Sequence, residues 1–108
     1  MEEKIIMQGL ANRIKGTFNV QNGHGILTNQ RFIYSKHNLA KIAVMGVLVN
    51  LTEGDYEFHI PVSEIKEVTR GKQGLSKNVL VITQNNGEVY KFAVTKYMEW
   101  EIAFKNLL

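Results

Sequence analysis

The stretch Gly25-Ile-Leu-Thr-Asn-Gln-Arg-Phe-Ile-Tyr34 constrains this chain more than any other. Two apolar, β-prone runs flank Thr28-Asn29-Gln30. Asparagine tolerates the tight turn conformations that join neighbouring strands, so the segment reads as strand, turn, strand. A second constraint lies at the other end of the chain. Tyr97, Trp100, Phe104 and Leu107 recur at three- and four-residue spacing, while Glu99 and Glu101 fall off that stripe. This predicts an amphipathic helix of about three turns with Thr95 as its N-cap, closing on a core through Trp100.

Between these elements the pattern is one of short strands. Ile5 to Phe18 holds a first strand, with Ile14, Phe18 and Val20 on a buried parity and Arg13, Lys15 and Thr17 on the wet one. Ile6, Leu10 and Ile14 also recur at helical spacing, so a helical start competes with it. Asn22-Gly23 signals a turn. Strands then follow at His24–Thr28, Arg31–Ser35, Tyr56–Ile60 (ended by Pro61), Ile65–Arg70, Asn78–Thr83 and Glu88–Val94. The run Val79-Leu80-Val81-Ile82 is apolar on both parities and reads as a strand buried on both faces. Gly71–Lys77 reads as a loop and Asn85-Asn86-Gly87 as a hairpin turn. The fold class is mainly β (α+β): seven antiparallel strands and one C-terminal helix. A small sheet of this kind bends into a partly open barrel, and an aromatic helix plugs its open corner.

A chain of 108 residues suffices for one domain over residues 1–108. Apolar residues make up 44%, enough for a core, and charged residues 21%, an ordinary wet surface. The absence of cysteine removes disulfides, thiolate metal sites and cysteine nucleophiles, and is compatible with a reducing cytoplasm. Met1-Glu2-Glu3-Lys4 is acidic with no long apolar region behind it, so it does not read as a secretory signal. The net charge of +3 favours anionic partners only in a general way.

The residues that carry a family likeness are Ala11-Asn12-Arg13-Ile14-Lys15-Gly16, Gly23-His24-Gly25-Ile26-Leu27-Thr28-Asn29-Gln30-Arg31-Phe32-Ile33-Tyr34, Ile60-Pro61-Val62-Ser63-Glu64-Ile65 with Val68, Gly87-Glu88-Val89-Tyr90-Lys91-Phe92, and Trp100. In this order the chain resembles the GRAM and bacterial pleckstrin-homology-like (PH-like) domains. The likeness spans nearly the whole chain except Leu39–Leu51. It implies a PH-like seven-stranded barrel capped by the C-terminal helix. It also implies a small non-enzymatic binding or scaffolding module, and related domains include lipid binders with basic loops at one end of the barrel.

The chemistry that would make an enzyme has no pattern here. His24, His37 and His59 stand far apart, without metal-ligand spacing. Glu53, Asp55 and Glu57 alternate but lack the ligand ladder of a calcium loop. Gly71-Lys72-Gln73-Gly74-Leu75-Ser76-Lys77 resembles a phosphate loop only faintly, because strand residues follow where a helix is required. Arg70, Lys72 and Lys77 read as a solvated basic surface. No serine sits in a nucleophile elbow, and no basic stretch is interleaved with aromatics as nucleic-acid binding requires. The expectation is no catalysis, no cofactor, no metal and no nucleic acid.

Leu39–Leu51, between the third and fourth predicted strands, is nearly all apolar, interrupted by Lys41 and Asn50. It is too short for a membrane span of about 20 residues. It must be covered, by the barrel itself, by a protein partner or second copy, or by a lipid surface. In the related fold this connection lies at the ligand end. The sequence therefore nominates Lys15, Lys36, His37 and Lys41 for anions, including phospholipid headgroups, and Val44, Val47 and Leu48 for an apolar contact. The expected function is docking through residues 36–51, to a protein or a homo-oligomer first and to a membrane surface as the alternative, in the cytoplasm or at its membrane periphery.

Overall fold

The computed structural model describes residues 3–16, 18–36, 43–44, 47–48, 56–73 and 76–108, with 43–44, 47–48, 72–73 and 76–77 described by their backbone alone. Among these described residues ten strands and one helix follow in chain order: β1 (Ile5–Gly16), β2 (Asn19–Gln21), β3 (His24–Thr28), β4 (Arg31–Ser35), β5 (Ala43–Val44), β6 (Val47–Leu48), β7 (Phe58–Pro61), β8 (Ile65–Gln73), β9 (Ser76–Gln84), β10 (Val89–Val94) and α1 (Tyr97–Leu107). A single 3-10 turn, Val62–Glu64, joins β7 to β8. Seven strands form one continuous antiparallel path, β7-β4-β3-β1-β10-β9-β8, with β2 paired to β1 beside it and β5-β6 as a separate two-stranded ladder.

The path does not close, and β1 is its spine. The first half of β1 pairs with β3, from Ile5↔Thr28 to Leu10↔His24. The second half pairs with β10 at Ala11↔Val94 to Arg13↔Phe92, and with β2 at Arg13↔Gln21. Partners change at Ala11, whose N–H reaches the Gly23 carbonyl at 3.0 Å. A strand shared by two half-sheets lets the sheet fold over on itself, and its inner face makes the core.

That core is aromatic and continuous. Phe32 lies 5.2 Å from Phe92, 5.8 Å from Trp100 and 5.9 Å from Phe104, measured between ring centroids. Tyr34 then meets Phe58 and Phe92, each at 5.4 Å, and Phe58 stacks on Tyr90 at 4.9 Å. Tilted and edge-on pairs of this kind add to the burial of ring area. One end of the chain of rings is closed by α1, which buries Tyr97, Trp100, Ala103 and Phe104. Among the described residues no helix covers the other end.

The strand assignments at His24–Thr28 and Arg31–Ser35 match the structure residue for residue. The helical alternative for the N-terminus is excluded. Five further expectations need correction. The inward parity of β1 is Met7, Ala11 and Arg13, whereas Phe18 is 99% exposed and Val20 46% exposed. The strand stops at Gly16, so its alternation does not carry into Phe18. Asn22-Gly23 does not reverse the chain. It breaks one strand into β2 and β3, and β2 carries no apolar alternation that would announce it. Gly71–Lys77 is mostly ladder, because β8 runs to Gln73 and β9 starts at Ser76. The helix N-cap position is held by Lys96, with no side-chain cap bond, in place of Thr95. Pro61 is itself the last ladder residue of β7, opposite Arg31.

Candidate functional site

The end of the barrel opposite α1 is assembled by register. β1 and β10 run antiparallel, so Gly16 and Val89 lie toward the same end. Ser35 pairs with His24, and the Tyr34 hydroxyl donates to the Gln21 carbonyl at 3.0 Å, which brings Lys36 there as well. The β1–β2 tip, the start of the connection after β4 and the β9–β10 turn therefore share the open end. That turn is held by Gly87, at φ +94°, with its N–H donating to the Gln84 carbonyl at 3.0 Å. A positive φ of this size is a conformation glycine adopts without a Cβ penalty.

Two glycines let rings fill the barrel below this end. A Cβ on Gly23 would sit 2.5 Å from Tyr34 Oη, and one on Gly25 would sit 3.0 Å from the Phe32 ring and 3.2 Å from Ala11 Cβ. The glycine pair in the sequence is thus required by close approach of the rings.

Arg13 crosses the mouth. Its guanidinium lies 4.9 Å from the Phe58 ring centroid and 5.4 Å from that of Tyr90. No carboxylate among the described residues lies within ion-pair distance of it. An arginine stacked on aromatic faces keeps its outer N–H groups for other acceptors. Burial raises the pKa of the Tyr34 hydroxyl, and Arg13 acts in the opposite sense. Burial also raises Tyr90, reinforced by the bond it donates to Glu88 at 3.2 Å and again opposed by Arg13. Both phenols therefore stay neutral at ordinary pH.

The sequence-nominated residues divide into three groups. Lys15 is exposed on β1, two residues beyond Arg13, at the register shift between Ile14 and Gly16. Lys36 is exposed and pairs with Glu57 at 3.3 Å. His37 and Lys41 lie outside the described residues, as do Glu53 and Asp55. Val44, Val47 and Leu48 are placed by backbone only, in the β5–β6 ladder with Ala43↔Leu48 and Val44↔Val47. Sequence reasoning missed Arg13 and Phe18. Arg13 was assigned to the wet face and Phe18 to the buried one, and both follow from a single error of parity.

Elsewhere the chemistry is structural. Glu3 receives Arg31 through two bonds, 2.7 Å from Nε and 3.0 Å from Nη2, and the Thr28 hydroxyl at 2.8 Å. Thr28 Oγ1 also accepts the N–H groups of Gln30 and Arg31, and Asn29 exchanges bonds with the Lys4 backbone. Among the described residues no group of three or more His, Cys, Asp or Glu is arranged to hold a metal ion, and no helix is long and apolar enough to cross a membrane. A surface hollow of about 320 Å³ lies at the helix end, between Arg70, Asn78 and the first turn of α1.

No family model matches this sequence, and no curated protein matches it. The fold, in contrast, has many counterparts among solved structures. The C-terminal domain of an unknown protein from Leishmania infantum superposes with a TM-score of 0.71 at 13% identity, over 97% of this chain and 84% of that one. The Slm1 PH domain in complex with inositol-4-phosphate gives 0.65 at 21% identity, over 96% and 93%. The N-terminal PH domain of human ARAP2 gives 0.64 at 17% identity, over 94% and 77%. The chain has a PH-like fold: an open, mostly antiparallel sheet with one C-terminal helix.

Proposed function

We propose that this chain is a single-domain, non-catalytic docking module of the GRAM or bacterial PH-like kind, whose open end settles on an anionic phospholipid surface at the cytoplasmic membrane periphery. The observation that carries this reading is Phe18. A phenylalanine at 99% exposure costs hydration that a core position would avoid, and it stands at the tip of the β1–β2 turn beside the half-exposed Val20. Lys15 flanks it on β1, Arg13 crosses the mouth below, and Lys36 begins the connection that by sequence also holds His37 and Lys41. Apolar tips ringed by cations suit a surface of acyl chains under anionic headgroups. The likeness to a PH domain seen with inositol-4-phosphate supports the same chemistry.

Sedimentation with phosphatidylcholine vesicles, with and without phosphatidylserine, tests it. Wild type pellets with the anionic vesicles and loses binding as salt rises. Phe18→Ser weakens binding by about ten- to a hundredfold, the worth of burying one large apolar side chain at about 1.5–3 kcal/mol. Lys15→Glu weakens it further. Equal binding to neutral vesicles, or a Phe18→Ser protein that binds as wild type does, contradicts the reading. The ladder pairing of Ala43-Val44 with Val47-Leu48 supports a second reading, an apolar protein or second-copy interface at the same end. In that case Val47→Asp with Leu48→Asp converts an oligomer to a monomer on a sizing column, and vesicle binding is absent.

A further inference from the structure

Ile6, Leu10 and Ile14 recur at helical spacing in the sequence, and β1 gives that spacing another meaning. Side chains alternate along a strand, so steps of four keep all three on one side. Met7, Ala11 and Arg13 take the inner side, and so does Gly9, where a Cβ would lie 4.0 Å from the Trp100 ring. Exposure alternates unbroken from Ile5 to Leu10, through the register shift between Ile5 and Met7. The outer side of β1 is therefore Ile6, Gln8, Leu10, Asn12 and Ile14, and Val20 on β2 continues it opposite Ile14. Ile6 is 43% exposed and Leu10 39%.

The same outer side is covered one strand away. Ile26 stands opposite Gln8 and Ile33 opposite Ile26, and both are buried. Apolar side chains on this side are thus shielded over β3 and β4 and half open over β1, and an uncovered apolar strip of this kind marks an interface. Its charge says what fits. No outward residue of β1 from Ile6 to Ile14 is charged, although Lys4 and Lys15 stand just beyond. The basic excess lies elsewhere: Ile65–Gln84 hold Lys66, Arg70, Lys72 and Lys77 against Glu67, a net of +3 that equals the net charge of the whole chain. An anionic membrane or an acidic partner finds no cation on the strip to pair with. Gln8 and Asn12 are neutral amides, each both donor and acceptor, so they can pair with the same residues of another copy. Asn12 is held in place, its Oδ1 accepting the Gly23 N–H at 3.2 Å.

We propose that the outer face of β1 packs on the same face of a second copy of this chain, across a twofold axis. Two basic protomers then meet where charge is absent, with apolar side chains and amides matched by their own kind. At about 3.4 Å per residue the strip from Ile6 to Ile14 runs about 27 Å. Being one strand wide, it buries less than the roughly 800 Å² per partner of a standard interface, so the dimer is weak and reversible. The contact uses neither Phe18 nor Val47 and Leu48, which makes it independent of lipid docking and of an interface at β5–β6.

Sedimentation equilibrium between about 10 μM and about 1 mM reads the self-association. Wild type passes from monomer to dimer over that range, and salt does not weaken the dimer. Leu10→Glu sets like charges against each other and weakens it at least about tenfold, equivalent to about 1.4 kcal/mol. Gln8→Lys, at an exposed position outside the core, does the same, so the result does not hang on the folding of one variant. Phe18→Ser, and Val47→Asp with Leu48→Asp, leave the dimer unchanged. Oxidation by copper phenanthroline in air gives the place, because the chain has no cysteine of its own. Leu10→Cys, at the middle of the strip, forms a disulfide-linked dimer, and Met98→Cys on α1 does not. A wild type that stays monomeric at the top concentration overturns the proposal. So does a Gln8→Lys protein that dimerises as wild type does, a dimer lost in the Val47→Asp, Leu48→Asp protein, or Met98→Cys cross-linking as fast as Leu10→Cys.

Discussion

Gly23 shows how far a single missing methyl reaches. Tyr34 can lie across the barrel and donate to Gln21 only because position 23 has no Cβ. Gly23→Ala forces the buried ring aside, and we expect a loss of about 1–3 kcal/mol in chemical denaturation. A variant as stable as wild type would mean that the ring moves freely. Glu3 offers a pH-dependent counterpart. Burial pushes its carboxyl up, but the bonds from Arg31 and Thr28 outweigh burial and hold it below the ordinary value of 4.5. A lowered folded pKa contributes stability above that ordinary value and loses it as pH falls through the folded one. With side chains only 14% and 20% exposed, the Glu3–Arg31 pair is partly shielded from solvent. Glu3→Gln therefore loses about 2 kcal/mol near neutrality, and less as pH falls below the ordinary carboxyl value and through the lowered folded one. An unchanged difference between variant and wild type across that range would contradict the linkage. Residues at this scale were legible where local chemistry decides. Thr28 and Asn29 shape their turn as their side chains predict. Arg13 was not legible, because a cation facing inward is decided by Phe58 and Tyr90, which approach from β7 and β10.

Among the elements, α1 is the one most visible in the sequence and the most consequential. Its stripe of Tyr97, Trp100 and Phe104 is buried as the spacing requires, and Trp100 is 1% exposed against Phe32 and Phe104. Trp100→Ala removes the largest fully buried side chain and costs about 3–5 kcal/mol in denaturant unfolding. An unaltered midpoint would show that the helix does not stopper the barrel. Its start was misplaced by one residue, since Thr95 makes no cap bond and the helix leans instead on tertiary contact, Arg70 over Tyr97. β9 was legible because it is apolar on both parities, and Val79 and Leu80 are both fully buried. The span Gly71–Lys77 was not. Glycines and lysines there read as loop, but ladder pairing with β9 continues from Gly71↔Val79 to Gln73↔Ser76 and overrides the local preference. β2 is three residues long and exists only because β1 runs past Ala11, so no local pattern encodes it.

The molecule as a whole has two unlike ends. One is filled by the indole and rings of α1, and beside it the β8–β9 hairpin carries the charge excess. The other is crossed by Arg13 and tipped by Phe18, and Lys36 lies there at the start of the connection to β7. The seven strands of the main path and the helix that follows them could be read from periodicity. The asymmetry between the ends could not, because it arises from which loops the register gathers together. Docking by the open end is the central functional claim, and orientation on a membrane tests it most directly. Bound to phosphatidylserine nanodiscs carrying a gadolinium-chelating lipid, the protein should lose amide signals first at Lys15–Val20 and Asn85–Val89, while Arg70–Gln73, at the far end of β8, and α1 stay sharp. Broadening that begins at the helix end, or spreads evenly over the molecule, would contradict the account.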